Sequence, residues 1–352
     1  MFHQHINNIP LGSNIFMKEF FLQPGESAPL PTERDILAPK EREMHQLVET
    51  YHDEHFLEVY GKTIPAIFEG TYRLADITME TLDEPFEPGQ RFAKALNSRK
   101  KRALEKLIKS GGHDGKNVSV RDWHFSEQEA TLIGQAMTYT QFKATDAAQD
   151  DPLRPDDQSF PDGVTLRDYV VVNGRESRKG TDVLSNLLGA AFIVKAKGEN
   201  GQDYFVLGRR QRGRTSEGGE LSVIGGTPMW EEKYFGNGPA DFAGYMRKLG
   251  EEEHQEELLL NRGEIDIGNN VHLLRTLVRV FDPFYTVDVD PSITVEEIAA
   301  RCYGNEEALK EHDRLYALPQ SKEALQGLMN NRLGFNIGQG TIAGLYLDIQ
   351  EK

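Results

Sequence analysis

With 352 residues, 38% of them hydrophobic and 27% charged, the chain has the composition of a globular protein and room for about two domains. Its net charge of −16 argues against general affinity for nucleic acid, and no apolar run reaches the roughly 18 residues of a membrane helix. The N-terminal stretch MFHQHINNIPLGSNIFMKEF has no basic segment leading into an apolar core, and the single cysteine, Cys302, allows neither an internal disulfide nor a cysteine zinc cluster; a cytoplasmic protein is expected.

Taken in chain order, residues 33–60 are polar, rich in Glu and His, and expected to be helical. AIFEGTYRL (66–74) reads as strand–turn–strand, bent at Gly70. Residues 91–110 are expected to be a helix whose basic run Ser98-Arg99-Lys100-Lys101-Arg102 forms a solvated cationic face. GGHDG (111–115) is a loop without the strand-then-helix context of a phosphate loop. Residues 146–163 are rich in Asp, Pro and Gly and lack an apolar period, which predicts a long surface loop or a lid. AAFIVKA (190–196) and YFVLGRR (204–210) flank the turn signal Asn200-Gly201 and predict a hairpin. ELSVIGG (220–226) is a third strand, closed by a glycine pair. Residues 239–260 have helical period, and VHLLRTLVRVFD (271–282) reads as a strand. EEIAARC and NEEALKEH read as helices, RLYALP as a short strand, and SKEALQGLMNN as a terminal helix. This order predicts an α+β (α/β) architecture: a mixed sheet covered by helices on both faces. An N-terminal α+β region over 1–180 would precede a second domain over 181–352.

The sharpest signal is LGEEEHQEELLL (249–260), with five glutamates in the seven residues 251–257. At about 100° per residue, with Glu253 at zero, Glu256 falls at about −60° and Glu257 at about +40°. Phe242, Met246, Leu249 and Leu260 fall between about −40° and +20°, so the apolar stripe is also the stripe that carries the three carboxylates. Glu251 falls at about 160° and is expected in solvent; Glu252, at about −100°, is expected at the edge. Partly desolvated carboxylates crowded on one face must take up protons or bind a cation, and an all-oxygen set points to Mg²⁺ or Mn²⁺. The competing reading is a helix that ends or shifts phase near residue 250, with all five glutamates wet.

Gly225-Gly226 at a strand end, Glu232 after five intervening residues, and Glu253-His254-Gln255-Glu256-Glu257 on a helix resemble the Nudix box, G-x5-E-x7-R-E-U-x-E-E-x-G-U, where U is bulky and apolar. The segment between Glu232 and the helix core is about twelve residues longer than that box, Glu252 stands in place of its arginine, His254 in place of an apolar residue, and Leu259 in place of its last glycine. Gly250 stands where the box helix has a small residue against the sheet. A Nudix group that hydrolyses UDP-sugars has a comparably stretched box, and this chain is similar to it at FEGTYRLADI (68–77), IGQAMTYTQFKATD (133–146), LSNLLGAAFIV (184–194) and RRQR (209–212).

The resemblance implies a Nudix α/β/α sandwich and cleavage of UDP-glucose or UDP-galactose to UMP and sugar 1-phosphate. It implies Mg²⁺ or Mn²⁺ on Glu253, Glu256 and Glu257, with the Gly226 carbonyl and Glu232 as further ligands and Glu256 or Glu253 as catalytic base. Arg209 or Arg210 would clamp the phosphates, and strand alternation lets only one of them reach the site. Tyr139, Phe142, Tyr72 and Trp230 are candidates to stack on the base, against plain core packing. ADP-ribose or dinucleotide hydrolysis, and a non-catalytic nucleotide-binding module, remain alternatives. The expected partner is a nucleoside diphosphate sugar, with neither nucleic acid nor membrane.

Overall fold

The structure is a computed structural model that describes residues 6–12, 15–22, 48–51, 54–109, 113–153, 160–176, 183–210, 220–235, 240–276, 281–330 and 336–351. Its strands are β1 (Ile6–Gly12), β2 (Ile15–Phe21), β3 (Leu57–Val59), β4 (Lys62–Ile64), β5 (Ala66–Arg73), β6 (Ile77–Thr81), β7 (Lys116–Phe125), β8 (Ala130–Thr138), β9 (Val171–Val172) and β10 (Arg175–Glu176). They continue with β11 (Ala190–Lys197), β12 (Asp203–Arg210), β13 (Glu220–Ser222), β14 (Ile224–Gly226), β15 (Ile265–Thr276), β16 (Asp282–Val289), β17 (His312–Pro319) and β18 (Asn336–Ile337).

The main sheet runs β1-β2-β17-β12-β11-β16-β15-β5, with β13, β14 and β18 attached off that path. It is mixed: β11 lies parallel to β16 and antiparallel to β12. Strict alternation along the central strands feeds two cores. Phe192, Val194, Tyr204 and Val206 face the glutamate-rich helix Phe242–Leu258 and the helix Val295–Cys302. Ala191, Ile193, Phe205 and Leu207 face the helices Lys322–Asn330 and Gln339–Gln350. The sheet is therefore covered by helices on both faces, and the α+β class read from the sequence holds. Strands from the first 75 residues lie at both of its edges, β1-β2 beside β17 and β5 beside β15. A smaller sheet, β6-β8-β7, packs into the same core as the glutamate-rich helix.

Several local expectations change. Much of 33–60 lies outside the described residues, and its end, Leu57–Val59, is a strand paired with β4. AIFEGTYR is one strand rather than two. Gly70, at φ +143°, bends it through a register shift against β15, and a Cβ there would meet the Tyr72 ring at 2.8 Å. ELSVIGG splits into β13 on β12 and β14 on β11. The strand β16 and the last helix, Gln339–Gln350, were not among the expected elements, and SKEALQGLMNN is not the terminal helix.

The helix Gln90–Lys109 forms as expected, but Arg99 of its basic run is buried and donates to the carbonyls of Ala148 (2.9 Å) and Asp151 (2.6 Å). The described ends of 146–163 are anchored rather than lid-like. Leu153 and Phe160 are buried, and the Asp146 carboxylate accepts from Thr145 Oγ1, Ser185 Oγ, Ser185 N and Asn186 N at 2.6–3.0 Å. In GGHDG, the Asp114 carboxylate accepts from Thr140 N and Thr140 Oγ1, both at 2.8 Å, in the first turn of the helix Tyr139–Ala144, whose N-cap is Thr138. Among the described residues no helix is long and apolar enough to cross a membrane.

Candidate active site

The glutamate-rich helix starts at Asp241, whose carboxylate accepts from Gly244 N at 2.9 Å. It does not break near residue 250, so the reading in which all five glutamates are wet fails. Gly250 lets it lie close to the sheet: a Cβ there would sit 2.7 Å from Ile267 Cδ1 and 2.8 Å from the Phe192 ring. The helix ends on Leu259 in the left-handed conformation, φ 55°, where a glycine would carry no Cβ penalty.

The apolar stripe of Phe242, Met246, Leu249 and Leu260 is buried as the wheel predicts. In the C-terminal half the buried arc also takes in Gly250, His254, Glu257 and Leu258, which turns it away from Glu256. The three carboxylates therefore separate. Glu257 is buried, Glu253 is half-buried, and Glu256 is exposed. Glu252 is exposed and pairs with Lys248 at 3.2 Å. Glu251 is half-buried against Arg262 at 2.9 Å instead of free in solvent.

His254 is fully buried. Its Nδ1 lies 2.6 Å from the Gly250 carbonyl, so that nitrogen carries the proton and donates. Burial pushes its pKa down to about 4, against the Gly250 hydrogen bond and the Glu257 charge. The imidazole stands edge-on to Phe192, with centroids 5.3 Å apart, and fills an apolar position as a neutral ring.

Glu253 and Glu257 hydrogen-bond to each other. Burial first, and then the neighbouring Glu257, push the Glu253 carboxyl up to about 9. Burial acts the same way on Glu257, but His312 and Arg210 outweigh it and hold Glu257 below the ordinary carboxylate range. The pair thus holds one shared proton. Its surroundings are fitted to it: a Cβ at Gly226 would fall on the Glu253 carboxylate, so only glycine leaves that strand end open.

His312 is the residue that the sequence did not reveal. Its Nε2 lies 2.6 Å from Glu257 Oε2, with both side chains buried. Two features bring it there. A Cβ at Gly208 would fall on its imidazole, so the glycine makes room. Along the β12–β17 ladder, Arg209 faces Arg314 while Arg210 faces His312, so Asp313 is an extra residue. That bulge re-aims the end of β17. No sequence pattern marks it.

The other candidates fall in different places. Arg209 and Arg210 separate as alternation requires. Arg209 is buried and forked onto Asp313, with two contacts of 2.6 Å, whereas Arg210 acts on Glu257. Tyr72 is a core residue that donates from its hydroxyl to the Ser126 carbonyl at 3.1 Å. Phe142 is buried with Phe86, Met137 and Leu187, and Tyr139 packs on it at 5.9 Å. Neither of these is brought to the carboxylates. Trp230 and Glu232 line a separate cleft, and Glu231, not Glu232, pairs with Lys248 at 2.7 Å.

Among the described residues no three His, Cys, Asp or Glu side chains converge as a ready-made metal cage. The donors present are two buried carboxylates beside a glycine strand end. That set fits Mg²⁺, which takes one or two carboxylates and fills its remaining positions with water and substrate phosphates.

No protein-family model and no curated protein sequence matches the chain. Solved structures that it is similar to include RenU, a Nudix hydrolase from M. smegmatis, at 11% identity and TM-score 0.29, covering 47% of this chain and 84% of that one. They also include a C. elegans Ap4A hydrolase in a binary complex, at 10% identity and TM-score 0.29, covering 47% of this chain and 99% of that one. Likeness at that level says nothing of this chain's substrate.

Proposed function

We propose that the chain is a divalent-metal-dependent hydrolase of the Nudix type, acting on the diphosphate of a nucleoside diphosphate sugar. The observation that carries this reading is the buried Glu253–Glu257 pair, bonded together against Gly226 and held by His312 and Arg210. Two such carboxylates need a proton or a cation between them. Glu253 and Glu257 would hold Mg²⁺ or Mn²⁺, with Glu256, at the exposed edge, turned toward water. The ion would supply charge neutralisation for the phosphoryl oxygens. On the protein side, His312 orients Glu257, Arg210 adds positive charge beside it, and Glu253, whose carboxyl is pushed up by burial and by Glu257, carries the proton that the cation would displace. UDP-glucose and UDP-galactose are favoured as substrates by the motif order in the sequence.

The test is a panel of UDP-glucose, UDP-galactose, ADP-ribose and a dinucleoside polyphosphate, incubated with the protein and Mg²⁺, with separation of products. UMP and sugar 1-phosphate are expected. Turnover of ADP-ribose or the dinucleotide alone would move the substrate class; turnover of none would favour a second reading. In that reading the chain binds nucleotides without cleaving them, which the outward position of Glu256 favours, since only two of the three carboxylates then remain together.

A further inference from the structure

Trp230 and Glu232 are absent from the carboxylate cluster but share a cleft of about 320 Å³ with residues of the N-terminal half. Phe86, buried, lies on its apolar wall, and Trp230 leans on Phe235 with ring centroids 5.2 Å apart. Lys100 and Lys116 reach the cleft from a helix and a strand, and neither has an ion-pair partner among the described residues. Asp83, Glu87 and Glu232 line it as well, and they too lack a paired cation among the described residues. An acidic chain that keeps two lysines unpaired in one cleft, next to a half-buried indole and separate carboxylates, offers three kinds of contact at once. The indole suits a planar ring, the carboxylates suit hydroxyl donors, and the lysines suit an anion.

The cleft is also tethered to the carboxylate pair. Trp230 follows Gly226 by four residues, so their Cα atoms are at most about 14 Å apart. The intervening chain is fixed by hydrogen bonds from Val118 N to Pro228 O (3.0 Å) and from Trp230 N to Lys116 O (2.9 Å). We infer that this cleft binds the nucleoside 5′-phosphate end of the substrate, with the base on Trp230, ribose hydroxyls toward Glu87 or Glu232, and phosphate toward Lys116 and Lys100. The inference rests on the proposed hydrolase reading for what sits next to it, but its binding claim can be tested separately.

The two tryptophans make this practical, because Trp123 is buried and Trp230 is not. The full chain is titrated with UMP, AMP, uridine and inorganic phosphate, following tryptophan emission and heat. Nucleotide binding with a change in emission is expected. Trp230→Ala should weaken UMP binding about tenfold or more. Lys116→Ala and Lys100→Ala should weaken UMP about tenfold each and leave uridine unchanged. Circular dichroism of each variant separates lost binding from lost folding, and Trp230→Phe, which keeps a ring, should retain most of the affinity. Nucleotide binding that ignores all three alanine substitutions overturns the inference, and so does the absence of nucleotide binding. UMP bound in the cleft without turnover of any nucleotide sugar would overturn the hydrolase reading and leave the cleft. Turnover with a KM unmoved by Trp230→Ala and Lys116→Ala would do the reverse.

Discussion

Strands β12 and β17 carry a buried ionic cluster on each face, and the two clusters are built differently. On one face Arg209 is forked onto Asp313, and Arg314 meets Glu19, which also accepts from the Tyr316 hydroxyl at 2.8 Å. Two arginines meet two carboxylates. On the other face Glu253 and Glu257 are pressed together with Arg210 and His312, and Glu256 and Glu311 add further negative potential. Arg209 and Arg210 are adjacent in sequence, yet one belongs to a charge-matched network and the other to a site short of positive charge. A matched cluster is neutral as it stands, whereas an unmatched pair of carboxylates needs a proton or a cation.

The largest expected effect lies on the unmatched face. Glu257→Gln keeps the shape but removes the charge held by His312, and should lower Mg²⁺-dependent turnover about a thousandfold while the protein stays folded. Steady-state rates and circular dichroism check both halves. On the matched face, Arg314→Met leaves Glu19 buried without its guanidinium and should cost about 3 kcal/mol in denaturant unfolding, with turnover per folded molecule unchanged. If the two variants exchange these effects, the contrast between the faces is wrong.

A smaller effect concerns pH. Because the folded-state pKa of Glu253 is raised, the metal-free protein keeps a proton there that the unfolded chain releases. That contribution is complete below the ordinary carboxylate pKa and is lost as pH rises toward about 9. The melting temperature without metal should therefore fall across that window, and Mg²⁺ should restore most of the loss at pH 8 to 9. His254 acts with the opposite sign. Its pKa is depressed to about 4, so the unfolded chain binds a proton that the folded one refuses, and stability is lost as pH falls from about 6.5 to about 4. His254→Leu should remove up to about 3 kcal/mol of that acid sensitivity, seen as a flatter stability profile over the same range.

The sequence made the carboxylate stripe legible because helical period places residues without reference to anything else. Phe242, Met246, Leu249, Glu253 and Glu257 share one face on any straight helix. It also separated Arg209 from Arg210, since strand alternation is equally local. The wheel could not say where the buried arc was centred, because that depends on how Gly250 and His254 meet Phe192 and Ile267. Glu256 is exposed for that reason.

By itself, then, the sequence determined the element types with strong period, the α+β class and the carboxylates that had to be considered together. Tertiary structure alone decided which two of them meet, that Arg209 belongs to Asp313, and that Glu232 lines another cleft. It alone found His312, 55 residues along the chain from Glu257 and re-aimed by a bulge at Asp313. The division has one physical cause. Dihedral periodicity is a property of neighbouring residues, whereas partner choice among buried charges is set by which strands adjoin and in what register.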